Sequence, residues 1–186
     1  IGEVLELHLG LNAAARRERT VALLRSVGIA AAEQRMKEYP HQLSGGMRQR
    51  ASIALALALN PALIIADEPV TALDVIVQRQ VLDVIRELQS RLGLAMILVT
   101  HDMAVVAYAC DRVAVMYAGI VVESGSVREV LERPLHPYTM GLTHAFPDVH
   151  GETGELVPID GSPPSLLAPS IGCRFAPRCP FALAQC

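Results

Sequence analysis

Two acidic residues and a histidine stand directly after short apolar runs of the sequence. Asp67 and Glu68 follow the run ALIIA, and His101 follows the run LAMILVT. Both runs are short, apolar on both faces and contain β-branched residues, which favours buried strands over helices. Successive side chains at a strand end point in different directions, so the two carboxylates can serve different tasks. The pattern therefore predicts a reactive cluster at the ends of two strands.

The chemistry that suits this cluster is hydrolysis of a nucleoside triphosphate. One carboxylate can bind Mg²⁺, a hard ion that prefers oxygen ligands, while the other polarises an attacking water. A neutral imidazole at His101 can hydrogen-bond a terminal phosphate and position that water. Each motif alone also has a plainer interpretation, in which the acids cap a helix after Pro69 and the histidine is an ordinary strand terminus.

A serine and two glycines precede a strongly helical run in the stretch HQLSGGMRQR. Glycine costs about 1 kcal/mol relative to alanine inside a helix, so Gly45 and Gly46 indicate that a bare backbone is needed there. The unpaired N–H groups of a first helical turn can bind an anion, and Ser44 can cap the helix and offer its hydroxyl to the same anion. The plainer alternative is a capped helix after a glycine turn.

Hydrophobic periodicity predicts the elements that must position these residues. The expected helices cover residues 13–27, 31–40, 45–59, 74–93, 102–110 and 126–133, and the expected strands cover 62–66 and 94–99, followed by a strand pair that turns at Gly119. Beyond residue 133 the sequence predicts one short helix between prolines and then a wrapping segment rich in Gly, Pro and Ser over 148–172. Alternating strands and helices indicate a layered α/β sheet with its site at the carboxyl ends of the strands.

Composition and charge exclude several classes of protein. Hydrophobic residues make up 52% of the 186 residues and aromatics only 4%, which suits helices packed on a parallel sheet. The net charge of −3 offers no general basic face for nucleic acid. The most apolar run breaks at Asn60-Pro61 and is shorter than the roughly 18 to 20 residues that span a bilayer. Ile1 is not an initiator, so we expect a fragment whose start is missing.

Three of the four cysteines lie together near the end of the sequence, in the pattern C-x5-C-x6-C from Cys173 through Cys179 to Cys186. Iron–sulfur clusters are generally held by four thiolates, and structural zinc sites by four cysteines or by three with a histidine. Reduced thiols without a metal are the third interpretation. Cys110 lies apart between a predicted helix and strand, where a small buried apolar residue is expected.

Four motifs in one order resemble the ATP-binding-cassette (ABC) ATPase family. LSGGMRQR at 43–50 is similar to its signature motif, with Met47 where Gln is commonest, and ALIIADEP at 62–69 is similar to its Walker B strand. TALD at 71–74 resembles its D-loop, and VTHD at 99–102 resembles its switch-histidine loop. The resemblance implies part of the P-loop NTPase-like ABC ATPase fold, in three parts: a helical subdomain with the signature motif over 1–60, the C-terminal half of the ATPase core over 61–133, and a Cys-containing C-terminal extension over 134–186.

The same resemblance implies a role for each site residue in binding and hydrolysing ATP. Asp67 binds Mg²⁺, Glu68 is the general base, His101 senses the γ-phosphate and Asp74 helps to join two cassettes. The signature residues contact ATP held by the opposite cassette: Ser44, Gly45, Gly46 and Met47.

The phosphate-cradling loop G-x-x-x-x-G-K-[ST] does not occur in the sequence, whose one lysine, Lys37, has no glycine near it. The family's Mg²⁺-coupled glutamine and its adenine-stacking aromatic are expected, with that loop, before Ile1. We therefore expect that this segment alone does not hydrolyse ATP.

The tail from His136 to Cys186 narrows the resemblance to the peptide-importer branch, the oligopeptide and dipeptide permease ATPases, whose relatives include nickel importers. This implies a peripheral subunit on the cytoplasmic face of the bacterial inner membrane. Its partners would be a second ABC ATPase subunit, the transmembrane permease subunits and, indirectly, a substrate-binding protein. The helices over 13–39 would receive a cytoplasmic helix of the permease.

Members of this branch carry a [4Fe–4S] cluster in the tail, which implies the three tail cysteines as ligands. The fourth ligand would be Cys110, a non-cysteine group or a residue beyond Cys186. Two alternatives remain: a non-transport ABC ATPase acting on nucleic acid, against which the acidic balance argues, and a heterodimeric cassette with a regulatory metal module.

Overall fold

The computed structural model describes residues 1–144, 159–167 and 172–186. The chain divides into two compact units, Ile1–His101 and Asp102–Cys186. The residues predicted to bind or hydrolyse ATP all lie in the first unit, and all four cysteines lie in the second.

The first unit contains five helices and two strands. They are α1 (Gly2–Leu9), α2 (Ala13–Ser26), α3 (Ala32–Arg35), α4 (Gly45–Ala56), β1 (Leu63–Asp67), α5 (Val75–Leu92) and β2 (Ala95–Val99). The predicted limits of α5 are confirmed, since Asp74 caps its first turn and Gly93, with φ of 62°, ends it in the left-handed conformation. The second predicted helix is much shorter than expected, because α3 ends at Arg35 and Pro40 begins a single 3-10 turn.

Strands β1 and β2 lie side by side and parallel, with Ile65 paired to Ile97 and Asp67 paired to Val99. One face of the pair packs through Ile64 and Met96 onto a core built from the surrounding helices. The opposite face is exposed, although the apolar runs predict strands covered on both faces. The helices of this unit cover one face alone, and the exposed side chains are Leu63, Ile65, Ile97 and Val99.

The second unit is built around a β-hairpin. Its elements are α6 (Met103–Ala109), β3 (Arg112–Tyr117), β4 (Ile120–Ser126), α7 (Val127–Glu132) and α8 (Pro137–His144). The predicted turn is confirmed: Ala118 and Gly119 have φ of 48° and 83°, as a two-residue hairpin turn requires. That tight turn brings β4 back antiparallel to β3, as the predicted strand pair requires, and the described strands form two two-stranded sheets, β1 with β2 and β3 with β4.

An aromatic cluster fixes the C-terminal segment onto the hairpin. Phe175 is buried, and its ring lies 5.1 Å from that of Tyr117 and 5.5 Å from that of Tyr138 between ring centroids. Arg178 reaches across with its guanidinium to donate to the carbonyls of Ile159, at 2.9 Å, and Asp160, at 2.7 Å. These contacts make Ile159, Asp160 and the segment around Phe175 and Arg178 part of the folded second unit. The predicted wrapping segment falls partly outside the described residues.

Glu123 of β4 ties down the chain that leads into α8. Its two carboxylate oxygens accept the backbone N–H groups of Leu135, at 2.8 Å, and His136, at 3.0 Å. Burial acts to raise the pKa of Glu123, but the side chain of Thr139, the two backbone hydrogen bonds and the charge of His136 together outweigh it, and the pKa lies below its ordinary value.

The clamp at Glu123 predicts an acid-sensitive contribution to stability. Because the folded carboxyl binds its proton less tightly than the unfolded one, the contribution is complete above the ordinary carboxyl pKa and is lost as pH falls through the folded pKa. Thermal unfolding of wild type and Glu123→Gln should therefore differ most near neutral pH and converge toward about pH 3. Glu87→Gln, which changes an exposed carboxylate on α5, is the control. A difference between wild type and Glu123→Gln that does not change with pH would contradict the prediction.

No helix among the described residues combines the length and the apolar character that crossing a bilayer requires.

Candidate functional site

The carboxyl ends of β1 and β2 bring Glu68 and His101 into contact. Because the two strands are parallel neighbours, the residues that follow them emerge at the same edge of the sheet. The ring nitrogen Nδ1 of His101 lies 2.8 Å from Oε1 of Glu68, and the backbone N–H of His101 donates to the same oxygen at 3.2 Å. The acid and the histidine that the sequence placed at two strand ends thus form one hydrogen-bonded pair.

The backbone of Glu68 adopts an unusual conformation that aims its side chain. Its φ is 46°, in the left-handed region that residues other than glycine rarely occupy. The N–H of Glu68 still donates to the carbonyl of Val99 at 2.9 Å, so the residue is anchored to β2 while its chain turns away. Strain of this kind concentrates at functional sites, where it fixes a reacting group in place.

Thr71 is a further residue of this site, which sequence reasoning missed. Its hydroxyl donates to Oε2 of Glu68 at 2.5 Å, so both carboxylate oxygens have protein donors. The hydrogen bond from Thr71, followed by that from His101, holds the pKa of Glu68 below its ordinary value. The signal available in the sequence was the spacing, since a hydroxyl three residues after an acid can close a local turn.

The arrangement suits a carboxylate that orients and deprotonates a water. Oε1 accepts from two groups of His101 and Oε2 from Thr71, which leaves Oε2 with the greater capacity to accept from a water. About a third of the Glu68 side chain is exposed, so a substrate can reach it. The same hydrogen bonds favour the ionised form of Glu68.

Asp67 ends β1 with an exposed side chain beside this pair. No group of three or more His, Cys, Asp or Glu residues that could hold a metal occurs within the described part of the chain. Magnesium in phosphate-transfer sites commonly takes one or two carboxylates and completes its shell with water and substrate phosphates. A single accessible carboxylate at Asp67 fits that kind of site.

The signature serine and the D-loop aspartate cap two neighbouring helices. Ser44 accepts the N–H of Met47 at 3.3 Å at the start of α4, and Asp74 accepts the N–H of Val77 at 2.9 Å at the start of α5. The side chain of Met47 packs half-buried against the core of the unit. Ser44 and Asp74 are exposed, so their caps leave both side chains accessible.

The tail cysteines do not assemble a metal site among the residues that the structure describes. The N–H of Cys173 donates to the carbonyl of Cys186 at 2.9 Å, which closes a loop that also contains Cys179. Cys110 is half-buried, and burial raises the pKa of its thiol, with the charge of Asp111 acting in the same direction. All four cysteines are free thiols.

Two family models match the sequence. Residues 3–71 match the model described as ABC transporter, and residues 122–186 match the model described as oligopeptide/dipeptide transporter, C-terminal region. Both matches fall on regions that carry the motifs or the tail identified above.

Curated relatives match the whole chain. It is 52% identical to the oligopeptide transport ATP-binding protein AppD of Bacillus subtilis over 100% of its own length and 57% of AppD. It is 50% identical to the oligopeptide transport ATP-binding protein OppD of Salmonella typhimurium over 99% of its own length and 55% of OppD. The chain thus spans little more than half the length of these relatives.

Solved structures share the fold. The cbiO1 subunit of the cbiONQ ABC transporter complex from Clostridium perfringens aligns with a TM-score of 0.62 at 30% identity, covering 71% of this chain and 51% of cbiO1. The ATP-binding cassette MJ0796, solved as a dimer bound to ADP and Pi, aligns with a TM-score of 0.55 at 32% identity, covering 63% of this chain and 50% of MJ0796.

Proposed function

Because the chain belongs to the ABC transporter ATPase family, with its ABC ATPase fold, we propose that it forms the hydrolytic part of the ATP-driven subunit of a bacterial peptide importer. The observation that carries this proposal is the contact of Glu68 with His101 and Thr71 at the ends of two parallel strands. A carboxylate fixed there by three donors is the group that ATP hydrolysis requires next to the γ-phosphate.

In the proposed reaction Glu68 accepts a proton from the attacking water at Oε2. Thr71 holds that oxygen in place, and His101 holds the other oxygen. Asp67 would hold Mg²⁺, which supplies charge neutralisation for the phosphates when bound. The in-line attack of this water on the γ-phosphate then depends mainly on how the water and the phosphate are positioned, as is usual for phosphoryl transfer.

A complete ATP site requires a second cassette. No phosphate-binding loop occurs in this sequence, so a loop of that kind on the second cassette would hold the nucleotide. The helix that Ser44 caps would contact the same nucleotide from this chain. The first turn of α4 and the exposed Asp74 then face the neighbour. Support for a paired assembly comes from MJ0796, whose structure is dimeric.

The peptide-importer branch is supported by the C-terminal extension. The match over 122–186 to the oligopeptide/dipeptide transporter region covers most of β4 together with α7, α8 and Phe175, whose ring packs on Tyr117 just before the matched region. AppD and OppD are both oligopeptide transport ATP-binding proteins. We place the subunit peripherally on the cytoplasmic face of the membrane, held there by permease subunits.

A groove in the first unit is suited to such a permease contact. It encloses about 680 Å³, and Leu24, Ala51 and Leu55 contribute to its apolar lining. Two of its arginines are already neutralised, Arg16 by Glu6 and Arg35 by Glu38.

Two further arginines of the groove carry its unbalanced charge. Arg17 and Arg48 are exposed, and neither side chain has an ion pair or hydrogen bond to any residue that the structure describes. An amphipathic helix could place its apolar face on the apolar lining of the groove and its carboxylates beside Arg17 and Arg48.

Charge reversal in the groove tests the permease partner. Arg17→Glu/Arg48→Glu should reduce co-purification with the permease subunits of a peptide importer at least about tenfold, because two favourable charge contacts become repulsive. Arg128→Glu, which changes an exposed arginine of the second unit, is the matched control. Unchanged co-purification of the double variant would exclude this groove as the contact.

The described residues do not fit an iron–sulfur cluster, because they bring no three ligands together. No step of the proposed function passes through one.

A further inference from the structure

The two glycines that begin α4 lie directly against side chains at the start of α5 and just before it. An ideal Cβ built on Gly46 would stand 2.5 Å from Cγ1 of Val77, a separation that real Cβ atoms essentially never show. A Cβ on Gly45 would stand 3.2 Å from Cδ2 of Leu73. The glycine pair therefore admits two side chains from the segment around the D-loop.

Val77 is poorly able to give way to such a Cβ. A β-branched side chain in a helix has one strongly preferred χ1 rotamer, so its Cγ1 cannot swing aside as the end of a longer chain can. Leu73 lies outside the helix and ends in a flexible branch, so its contact with Gly45 is softer. The two glycines are thus unequal, with Gly46 sterically closed and Gly45 nearly closed.

The contact between Val77 and Gly46 fixes the position of the Ser44 cap of α4 relative to the Asp74 cap of α5. Val77 donates its backbone N–H to Asp74, and its side chain abuts Gly46, two residues after Ser44. A displacement of α5 at this point therefore moves Asp74 and presses on the turn that Ser44 caps. Access for an anion is one reason for the two glycines, and the close approach of Val77 is a second reason that lies within the chain itself.

We propose that Val77 is a positioning residue of the ATP site, which seats the signature turn of α4 on the first turn of α5 and so sets Ser44 relative to Asp74. The expected effect of this contact on ATP turnover rests on the proposed function. The steric basis of the proposal is independent of that function, since it concerns contacts within one unit of the chain.

Stability of the 186-residue chain tests the steric basis directly. Gly46→Ala should lower Tm by roughly 4–10 °C, although the same change at an open helical position would stabilise the helix. Adding Val77→Ala removes Cγ1, and the nearest remaining atom of that side chain is then its Cβ, at 3.9 Å from the new methyl group. Gly46→Ala should therefore lower Tm much less in the Val77→Ala chain than it does in wild type. Gly45→Ala, made in wild type, should lower Tm much less than Gly46→Ala. A Gly46→Ala chain as stable as wild type, or no recovery in the double variant, would overturn the proposal.

Turnover tests the positioning role, in a joined cassette made by placing this chain after the phosphate-binding portion of a peptide-importer relative. Gly46→Ala should lower kcat at least about tenfold with little change in KM for ATP, and Val77→Ala in the same molecule should restore most of it. Recovery of Tm without recovery of kcat would show that the nucleotide itself excludes a methyl group at Gly46, and would overturn the positioning role. A joined cassette with no turnover at all would refute the proposed function and leave the Tm comparison as the test of the contact.

Discussion

Glu68→Gln in the joined cassette is expected to lower ATP turnover at least about 100-fold while ATP-dependent pairing of cassettes persists. The amide has nearly the shape of the carboxylate and still accepts one hydrogen bond from His101, but it cannot take a proton from water. Because ATP is held by other groups, its binding should change little. Single-turnover hydrolysis measures the loss, and size-exclusion chromatography with and without ATP measures pairing.

Glu87→Gln is the matched control for that substitution, since it makes the same chemical change on the exposed surface of α5. Its turnover should equal that of the unmodified joined cassette. Loss of nucleotide binding in Glu68→Gln, instead of loss of turnover, would count against a general base at this position.

The 186-residue chain by itself is expected to hydrolyse ATP at less than about 1% of the rate of the joined cassette. Glu68, His101 and Thr71 are in contact in this chain, but nothing in its sequence matches the loop that cradles the phosphates. Without those backbone N–H groups and their lysine, ATP is not held within reach of Glu68. Release of inorganic phosphate, measured at equal concentrations of the two proteins, checks this expectation.

Lys37→Ala is the control that excludes a substitute phosphate contact, because Lys37 is the one lysine of the sequence. Turnover by the isolated chain that approaches the joined cassette would refute the expectation. Turnover that disappears with Lys37→Ala would identify the group responsible.

Local signals predicted most of the elements but not how the strands assemble. The cap at Asp74 and the stop at Gly93 define α5, and the turn at Gly119 defines the hairpin, because each rests on the conformation of one or two residues. Helix α1 was missed because Ile1 provides no side-chain cap at its start. The turn at Gly119 predicted that β3 pairs with β4, but alternating strands and helices do not specify that the described strands form two separate sheets.

The site was predictable where it depends on strand ends and unpredictable where it depends on close packing. Parallel neighbours bring Glu68 and His101 to one edge, which follows from a general property of such sheets. The spacing of Thr71 from Glu68 allows a hydrogen bond between them, but the unusual φ of Glu68 that accompanies this contact is not specified by the spacing. Contact between Gly46 and Val77 joins two helices separated in sequence, so it became visible only in three dimensions.

The left-handed backbone at Glu68 lowers the stability of the fold at a position that ATP turnover requires to be glutamate. For a residue with a side chain this conformation costs about 1–2 kcal/mol, and a glycine there would escape the cost. The chain nevertheless carries a long acid at this position, held by Thr71 and His101. A library selected only for thermal resistance should therefore drift toward glycine, asparagine or aspartate at position 68, whereas selection for turnover should retain glutamate.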